Sequence, residues 1–256
     1  MTGITRRCFI VVGGIVAIGA GYPFARKFAG HFTPPPEFEP ISDPAGFRRV
    51  SGGSSSLGAA PFAGLDGTSE EFSGLPVTEV RDSICTALYG EEPLAPGTVP
   101  VASFSDFYCP YCRVQTKELA RLEDRMGYKV RVAWHELPLL SEASLLASRA
   151  ALAAKRQGAY VRFQERLIST PFRANPGYLK ALSEEIGISY LRLTADMNSD
   201  EVGHDIRVSA ALADIFGFVG TPALVIGRTV IQGQVGAATL KKIIELERAD
   251  GWSQVC

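Results

Sequence analysis

The 256-residue chain carries 26 Lys+Arg against 27 Asp+Glu, a net charge of −1, with 46% apolar and 21% charged residues. Against roughly 150 residues per domain, this length holds one domain with insertions or two small ones. The composition is ordinary for a globular protein and excludes wholesale disorder, collagen-like repetition and a multi-span membrane protein. No long basic run or basic-aromatic interleaving marks a phosphate-backbone footprint, so no nucleic-acid partner is expected. Five cysteines are too few for a disulfide scaffold that replaces a core.

Residues 1–32 read as an export signal or membrane anchor. They hold Arg6, Arg7, Arg26 and Lys27 but no acid, and the stretch from Cys8 to Ala25 is uncharged. Gly13, Gly14, Gly19 and Gly21 each weaken a soluble helix by about 1 kcal/mol, which argues against a buried core helix. Thr5-Arg6-Arg7-Cys8-Phe9-Ile10 resembles the twin-arginine export signal. Cleaved export and a retained N-terminal membrane tether both stay open, because no clean A-x-A site follows. The expected location is extracytoplasmic, the periplasm.

Residues 33–97 are rich in Pro, Gly and Ser, with the run Ser51-Gly52-Gly53-Ser54-Ser55-Ser56. Such composition buries too little apolar surface to offset its ordering entropy, so a linker or loose tether is expected. The rival is a wrapped arm, since Val77, Val80, Ile84 and Leu88 have helical spacing.

From Thr98 the pattern becomes that of a folded body. Val99 to Phe107 predicts a strand, and Pro110 sits where a first-turn proline belongs. Val114, Leu119, Leu122 and Met126 give a helical stripe ended by Gly127. Lys129 to Trp134 is a second strand. Helices are expected over Ser141–Gln157, Tyr160–Ile168, Pro176–Ile186 and Ser199–Phe216. Ala223–Ile226 and Thr229–Gln232, parted by Gly227-Arg228, predict a hairpin, and Ala237–Arg248 a closing helix.

The chemistry lies at Cys109-Pro110-Tyr111-Cys112, at the first strand-to-helix junction. A thiol capping a helix N-terminus meets exposed N–H groups and the positive end of the helix dipole. Cys109 is therefore expected to ionise within the ~3.5–7.5 range of such thiols and to act as the nucleophile, with Cys112 resolving a mixed disulfide. A stable thiolate is also a good leaving group, so the disulfide should be a strong oxidant. This chemistry needs no metal or organic cofactor. A structural zinc site needs four ligands, and Cys85, Cys256, His31, His135 and His204 are scattered. An inert disulfide in so small a ring would constrain little chain entropy.

Asp106-Phe-Tyr-Cys-Pro-Tyr-Cys-Arg113, Glu136-Leu-Pro-Leu139 with the alanine-rich helix after it, and Val219-Gly-Thr-Pro-Ala-Leu-Val-Ile-Gly227 resemble the DsbA-like thiol-disulfide oxidoreductases of bacterial cell envelopes. The likeness spans about Val99 to Trp252. It implies an α/β, thioredoxin-like fold with an inserted α-helical domain: 98–139 and 218–256 forming the thioredoxin-like part, 140–217 the insertion. It also implies a cis peptide before Pro222, facing the sulfurs, with Thr221 beside Cys109 and its backbone offered to an extended substrate.

Where relatives often carry a buried carboxylate six residues before the first cysteine, this chain has Ser103. Asp106 or Glu136 are the candidates to move the Cys112 proton in its place. The implied activity is disulfide formation in reduced exported polypeptides, with reoxidation by a quinone-linked membrane partner. The alternatives are an isomerase or reductase working from reduced Cys109 with a reductant donor, and, from another class, an envelope copper carrier or holdase. Cys85 and Cys256 flank the body, and a bridge, a free thiol and an intermolecular link all stay open. His135 reads as a polar edge in a loop, and Phe104, Phe107, Trp134, Phe216 and Phe218 as core.

Overall fold

Strand β4 (Val99–Ser105) is buried at every position, and its alternation explains how the molecule is layered. Successive side chains of a strand point to opposite faces, so Val99 and Val101 enter one core and Ala102 and Phe104 another. The computed structural model describes residues 36–57 and 74–256. The segment read as an export signal or anchor, 1–32, lies outside them. Phe38–Cys256 forms one compact unit.

With β1 (Glu39–Pro40) and β2 (Arg48–Ser51) at one edge, the main sheet has the order β1-β2-β8-β7-β4-β5. Central β4 runs parallel to β5 (Val130–Glu136) and antiparallel to β7 (Ala223–Ile226), which makes a hairpin with β8 (Thr229–Gln232). Gly227 takes φ +55° in that turn, a left-handed conformation that glycine adopts without a Cβ penalty. One face of the sheet packs on Leu119 and Leu122 of α3 (Pro110–Met126) and on Leu240, Ile243 and Ile244 of α9 (Ala237–Asp250). The other packs on Ile206, Ala210 and Ala213 of α8 (Asp200–Phe216).

Between β5 and β6 (Gly220–Thr221) the chain is helical: α4 (Glu142–Lys155), α5 (Tyr160–Ser169), α6 (Pro176–Ile186), α7 (Tyr190–Asp196) and α8. Side-chain oxygens of Ser141, Asn175, Ser189 and Ser199 cap α4, α6, α7 and α8, each satisfying an N–H that the helix leaves unpaired. Phe163, Leu167, Leu182 and Leu193 form a separate core here, joined by Phe107. This is the thioredoxin-like α/β arrangement with a helical insertion.

The expected loose linker over 33–97 is corrected wherever that stretch is described, and over Val77 to Leu88 the rival reading, a docked helical arm, is the one seen. β1 (Glu39–Pro40) and β2 (Arg48–Ser51) extend the main sheet, β2 lying parallel to β8. A further strand, β3 (Ser56–Leu57), pairs with β6. Helices α1 (Val77–Asp82) and α2 (Ile84–Tyr89) dock Val80, Leu88 and Tyr89 into the core. The reason is tertiary: backbone groups of a polar segment gain partners on an existing sheet edge that local composition does not reveal.

Arg48 is held to the fully buried Glu247 at 2.6 Å, and Glu247 also accepts from Thr229 Oγ1 at 2.5 Å. At the end of the arm Cys85 is bridged to Cys256, 171 residues away.

Candidate active site

The two redox candidates sit where β4 passes into α3. Cys109 is the N-cap residue, with extended φ −75° and ψ 118°, and its Sγ accepts the backbone N–H of Cys112 at 3.1 Å. Pro110 takes the first helical position, where its fixed φ suits the helix and its missing N–H leaves nothing unpaired. No acidic residue stands in the first turn, so nothing there opposes a negative charge at the helix's positive end. Arg113 donates to the carbonyls of Thr170 (2.6 Å) and Ile168 (3.2 Å), fixing the start of α3 against the helical insertion.

From the other side comes the β6–β7 turn. The Thr221–Pro222 peptide is cis, and the Thr221 carbonyl oxygen lies 3.3 Å from Cys109 Sγ. The hydrogen bond from the Cys112 thiol, opposed by burial and reinforced by the Ser56 and Thr221 hydroxyls and the Cys112 N–H, brings the Cys109 thiol down to about 6. Cys112 moves the opposite way. Burial raises it well above the ordinary thiol range, and its roles as donor to Cys109 and neighbour of a thiolate raise it further. One sulfur is thus readily ionised and its partner keeps the proton. That asymmetry lets one act as nucleophile or leaving group while the other waits as a thiol.

Both sulfurs are enclosed: Cys109 is 0% and Cys112 2% exposed. β3 lies against Thr221 and Gly220 beside them. Sequence reasoning missed Ser56, which contributes to Cys109 ionisation, because it lies in a serine run with no pattern of its own. The signal available was the glycines themselves, Gly52 and Gly53 ahead of the run and Gly220 and Gly233 elsewhere, each standing where another backbone approaches. Around the site Tyr111, Val114 and Val219 remain exposed.

Of the proton-transfer candidates, neither Asp106 nor Glu136 has a carboxylate hydrogen-bonded to a sulfur among the described residues. Asp106 accepts the backbone N–H groups of Tyr108 (2.8 Å), Leu139 (3.0 Å) and Leu140 (3.1 Å), clasping the active-site loop to the segment after β5. Burial raises its pKa despite these bonds. Glu136 turns toward the helical insertion, accepting from Tyr160 at 2.5 Å and Ser148 at 3.3 Å. Burial there pushes it up to about 8.

Ser103 is buried on β4, with no hydrogen-bond partner for its hydroxyl among the described residues. His135 is corrected from a loop edge to a β5 residue. Its ring stacks on Phe104 at 4.6 Å and its nitrogens meet Leu88 O (2.9 Å) and Ser209 Oγ (3.3 Å). Burial brings it down to about 4, so it is a neutral brace between β5, α2 and α8. No group of three or more His, Cys, Asp or Glu suited to a metal ion occurs among the described residues. There is likewise no helix among them long and apolar enough to cross a membrane.

Comparison with known proteins gives the same frame. The profile of the DSBA-like thioredoxin domain matches residues 100–245. A thioredoxin-like oxidoreductase from Silicibacter pomeroyi DSS-3 is 34% identical, with TM-score 0.59 over 64% of this chain and 97% of that one. The catalytic domain of Proteus mirabilis ScsC is 25% identical, with TM-score 0.57 over 67% of this chain and 98% of that one. Among curated sequences, a Na(+)/H(+) antiporter NhaA from Herminiimonas arsenicoxydans is 24% identical over 148 residues, 58% of this chain and 24% of its own length. The chain spans about a fifth to a quarter of the length of the curated relatives it matches.

Proposed function

We propose, for a chain that belongs to the DSBA-like thioredoxin domain family and is a thiol-disulfide oxidoreductase, that it works in the oxidising direction on reduced exported polypeptides. The observation that carries this reading is Cys109 Sγ at the N-terminus of α3, 3.1 Å from the Cys112 N–H and 3.3 Å from the Thr221 carbonyl oxygen.

A substrate thiolate attacks Cys109 Sγ of the Cys109–Cys112 disulfide. The enzyme S–S bond breaks, a mixed disulfide forms, and Cys112 leaves and takes up a proton. A second substrate thiolate attacks the substrate sulfur and expels Cys109 as a thiolate. The substrate loses two electrons and the pair gains them. Ionisation of Cys109 favours this second departure, because a low-pKa thiol leaves faster.

In this reading Cys109 is the nucleophile-facing sulfur, Cys112 the resolving one, and Pro110 and Tyr111 the turn between them. Thr221 and Pro222 form the platform on which an extended substrate pairs. Residues 98–139 with 218–256 make up the exchange domain, and 140–217 the inserted one. A quinone-linked membrane partner restores the disulfide. The extracytoplasmic location, reached by a twin-arginine signal in 1–32 that is cleaved or kept as a tether, suits the Cys85–Cys256 bridge, since such bonds persist in oxidising compartments.

The test is to incubate the oxidised chain with a reduced dithiol peptide and follow the peptide disulfide by mass. Cys109→Ser and Cys112→Ser should each abolish the reaction, whereas Cys112→Ser given the peptide in its disulfide form should accumulate a mixed disulfide, Cys109 attacking the peptide S–S bond and releasing one peptide thiol. A potential above ~−180 mV supports the oxidase, and one near ~−270 mV assigns the reductase direction instead.

A further inference from the structure

The strand edge that the proposed function reserves for a substrate is already occupied. Ser56 pairs with Thr221 and Leu57 with Gly220 in antiparallel register. Just before them Gly53 donates to Gln234 O at 3.0 Å, and Gln234 donates back to Ser54 O at 2.9 Å. Glycines stand on both sides of this contact. A Cβ on Gly52 would lie 2.0 Å from Gln232 O, on Gly53 2.5 Å from Gln234 O, and on Gly220 2.4 Å from Ser56 O. A Cβ on Gly233 would lie 2.2 Å from Gly53 O. At these four glycines the two backbones therefore approach more closely than a side chain allows.

The chemistry at the tip is specific. Ser56 sits in register with the residue whose carbonyl touches Cys109 Sγ, which sets it at the level of the reactive sulfur. Serine differs from cysteine by oxygen in place of sulfur, so Ser56 presents an unreactive atom where a substrate would present a thiol. Addition of a strand to an exposed edge is a general mode of peptide recognition, and here the chain supplies the strand itself.

We propose that Gly52–Leu57 is a pseudosubstrate strap, seated on the Gly220–Thr221 edge with Ser56 in the place of a substrate cysteine, and that polypeptides reach Cys109 only when it lifts. This rests on the proposed function for the identity of the edge. It accounts for a pair of exchange sulfurs that are 0% and 2% exposed.

Two measurements test it. In a Cys112→Ser background, Ser56→Cys places a thiol in the strap beside Cys109. With glutathione disulfide, the two protein thiols should join in one disulfide while two glutathione thiols are released, conserving electrons and protons. Non-reducing peptide mapping should show this link forming at least tenfold faster than with Ser54→Cys as the control.

Gly53→Ala dislodges the strap without touching Cys109, Cys112, Thr221 or Gly220. In the reduced full chain it should raise iodoacetamide labelling of Cys109 at least tenfold and raise the rate of peptide oxidation with it. Linkage of Ser56→Cys no faster than the control, or labelling of Gly53→Ala within twofold of the parent, overturns the proposal. Failure of parent and variants alike to oxidise peptides refutes the proposed function instead, and leaves linkage and labelling readable.

Discussion

Removing the Cys112 thiol with Cys112→Ala should raise the pKa of Cys109, because the largest single influence holding that sulfur down is the hydrogen bond it receives from Cys112. The backbone N–H of residue 112 stays in place, so part of the depression should survive. In the parent, a midpoint of about 6 against an ordinary 9.0 makes Cys109 about 90% thiolate at pH 7 rather than about 1%. That roughly 90-fold gain in thiolate does not become a 90-fold gain in attack. Nucleophilicity falls with basicity at a Brønsted slope of ~0.4–0.5, which over about three units costs roughly 16- to 32-fold and leaves a net gain of about three- to sixfold.

The midpoint is therefore the informative quantity, and thiolate absorbance near 240 nm against pH reads it directly in the reduced chain. Cys112, raised by burial, does not contribute near neutrality. A parent midpoint near 9, or an unchanged midpoint in Cys112→Ala, would refute the argument that the helix cap and its partner thiol hold Cys109 ionised.

Three further outcomes follow from the packing. Cys85→Ser with Cys256→Ser opens a loop spanning a 171-residue separation, so loop-closure entropy gives an upper bound of about 5 kcal/mol lost in urea unfolding. Arg48→Met leaves the 0%-exposed Glu247 carboxylate without its shortest ion-pair partner, and should cost about 3 kcal/mol by the same measurement; an effect below about 0.5 kcal/mol would mean that Arg228, at 3.6 Å, suffices. Glu136, pushed up to about 8, keeps its proton in the folded chain while the unfolded chain releases it above about pH 4.5. Parent stability should therefore fall by a few kcal/mol as pH rises from about 5 to 8, and Glu136→Gln should flatten that decline; parallel curves would show that Glu136 is ionised throughout.

The parts legible in the sequence were those specified by neighbours along the chain. The Cys109 cap follows from a strand, a proline and a helical stripe within some twenty residues, and the β7–β8 hairpin from two apolar runs around Gly227-Arg228. The helix Tyr190–Asp196 escaped because seven residues with Leu193 alone fully buried show too little periodicity to stand out. The strands of the arm escaped for a different reason. Arg48-Arg49-Val50-Ser51 has no strand signature, and becomes β2 because β8 offers an unpaired edge and Glu247 a buried partner for Arg48. His135 likewise gains its place from Leu88 and Ser209, 47 and 74 positions away, which no local pattern reports.

The pairing of Ser56–Leu57 with Gly220–Thr221 also makes the molecule its own competitor. A segment tethered within the same chain is present at an effective concentration of the order of millimolar, whatever the protein concentration. A free polypeptide at about 1 μM must outbid it by about a thousandfold, or about 4 kcal/mol. An extended, unfolded chain can gather that from backbone pairing and from the exposed Tyr111, Val114 and Val219, whereas a small soluble thiol offers no strand to exchange. The strap thus converts a reactive sulfur into one that discriminates by the length of its partner.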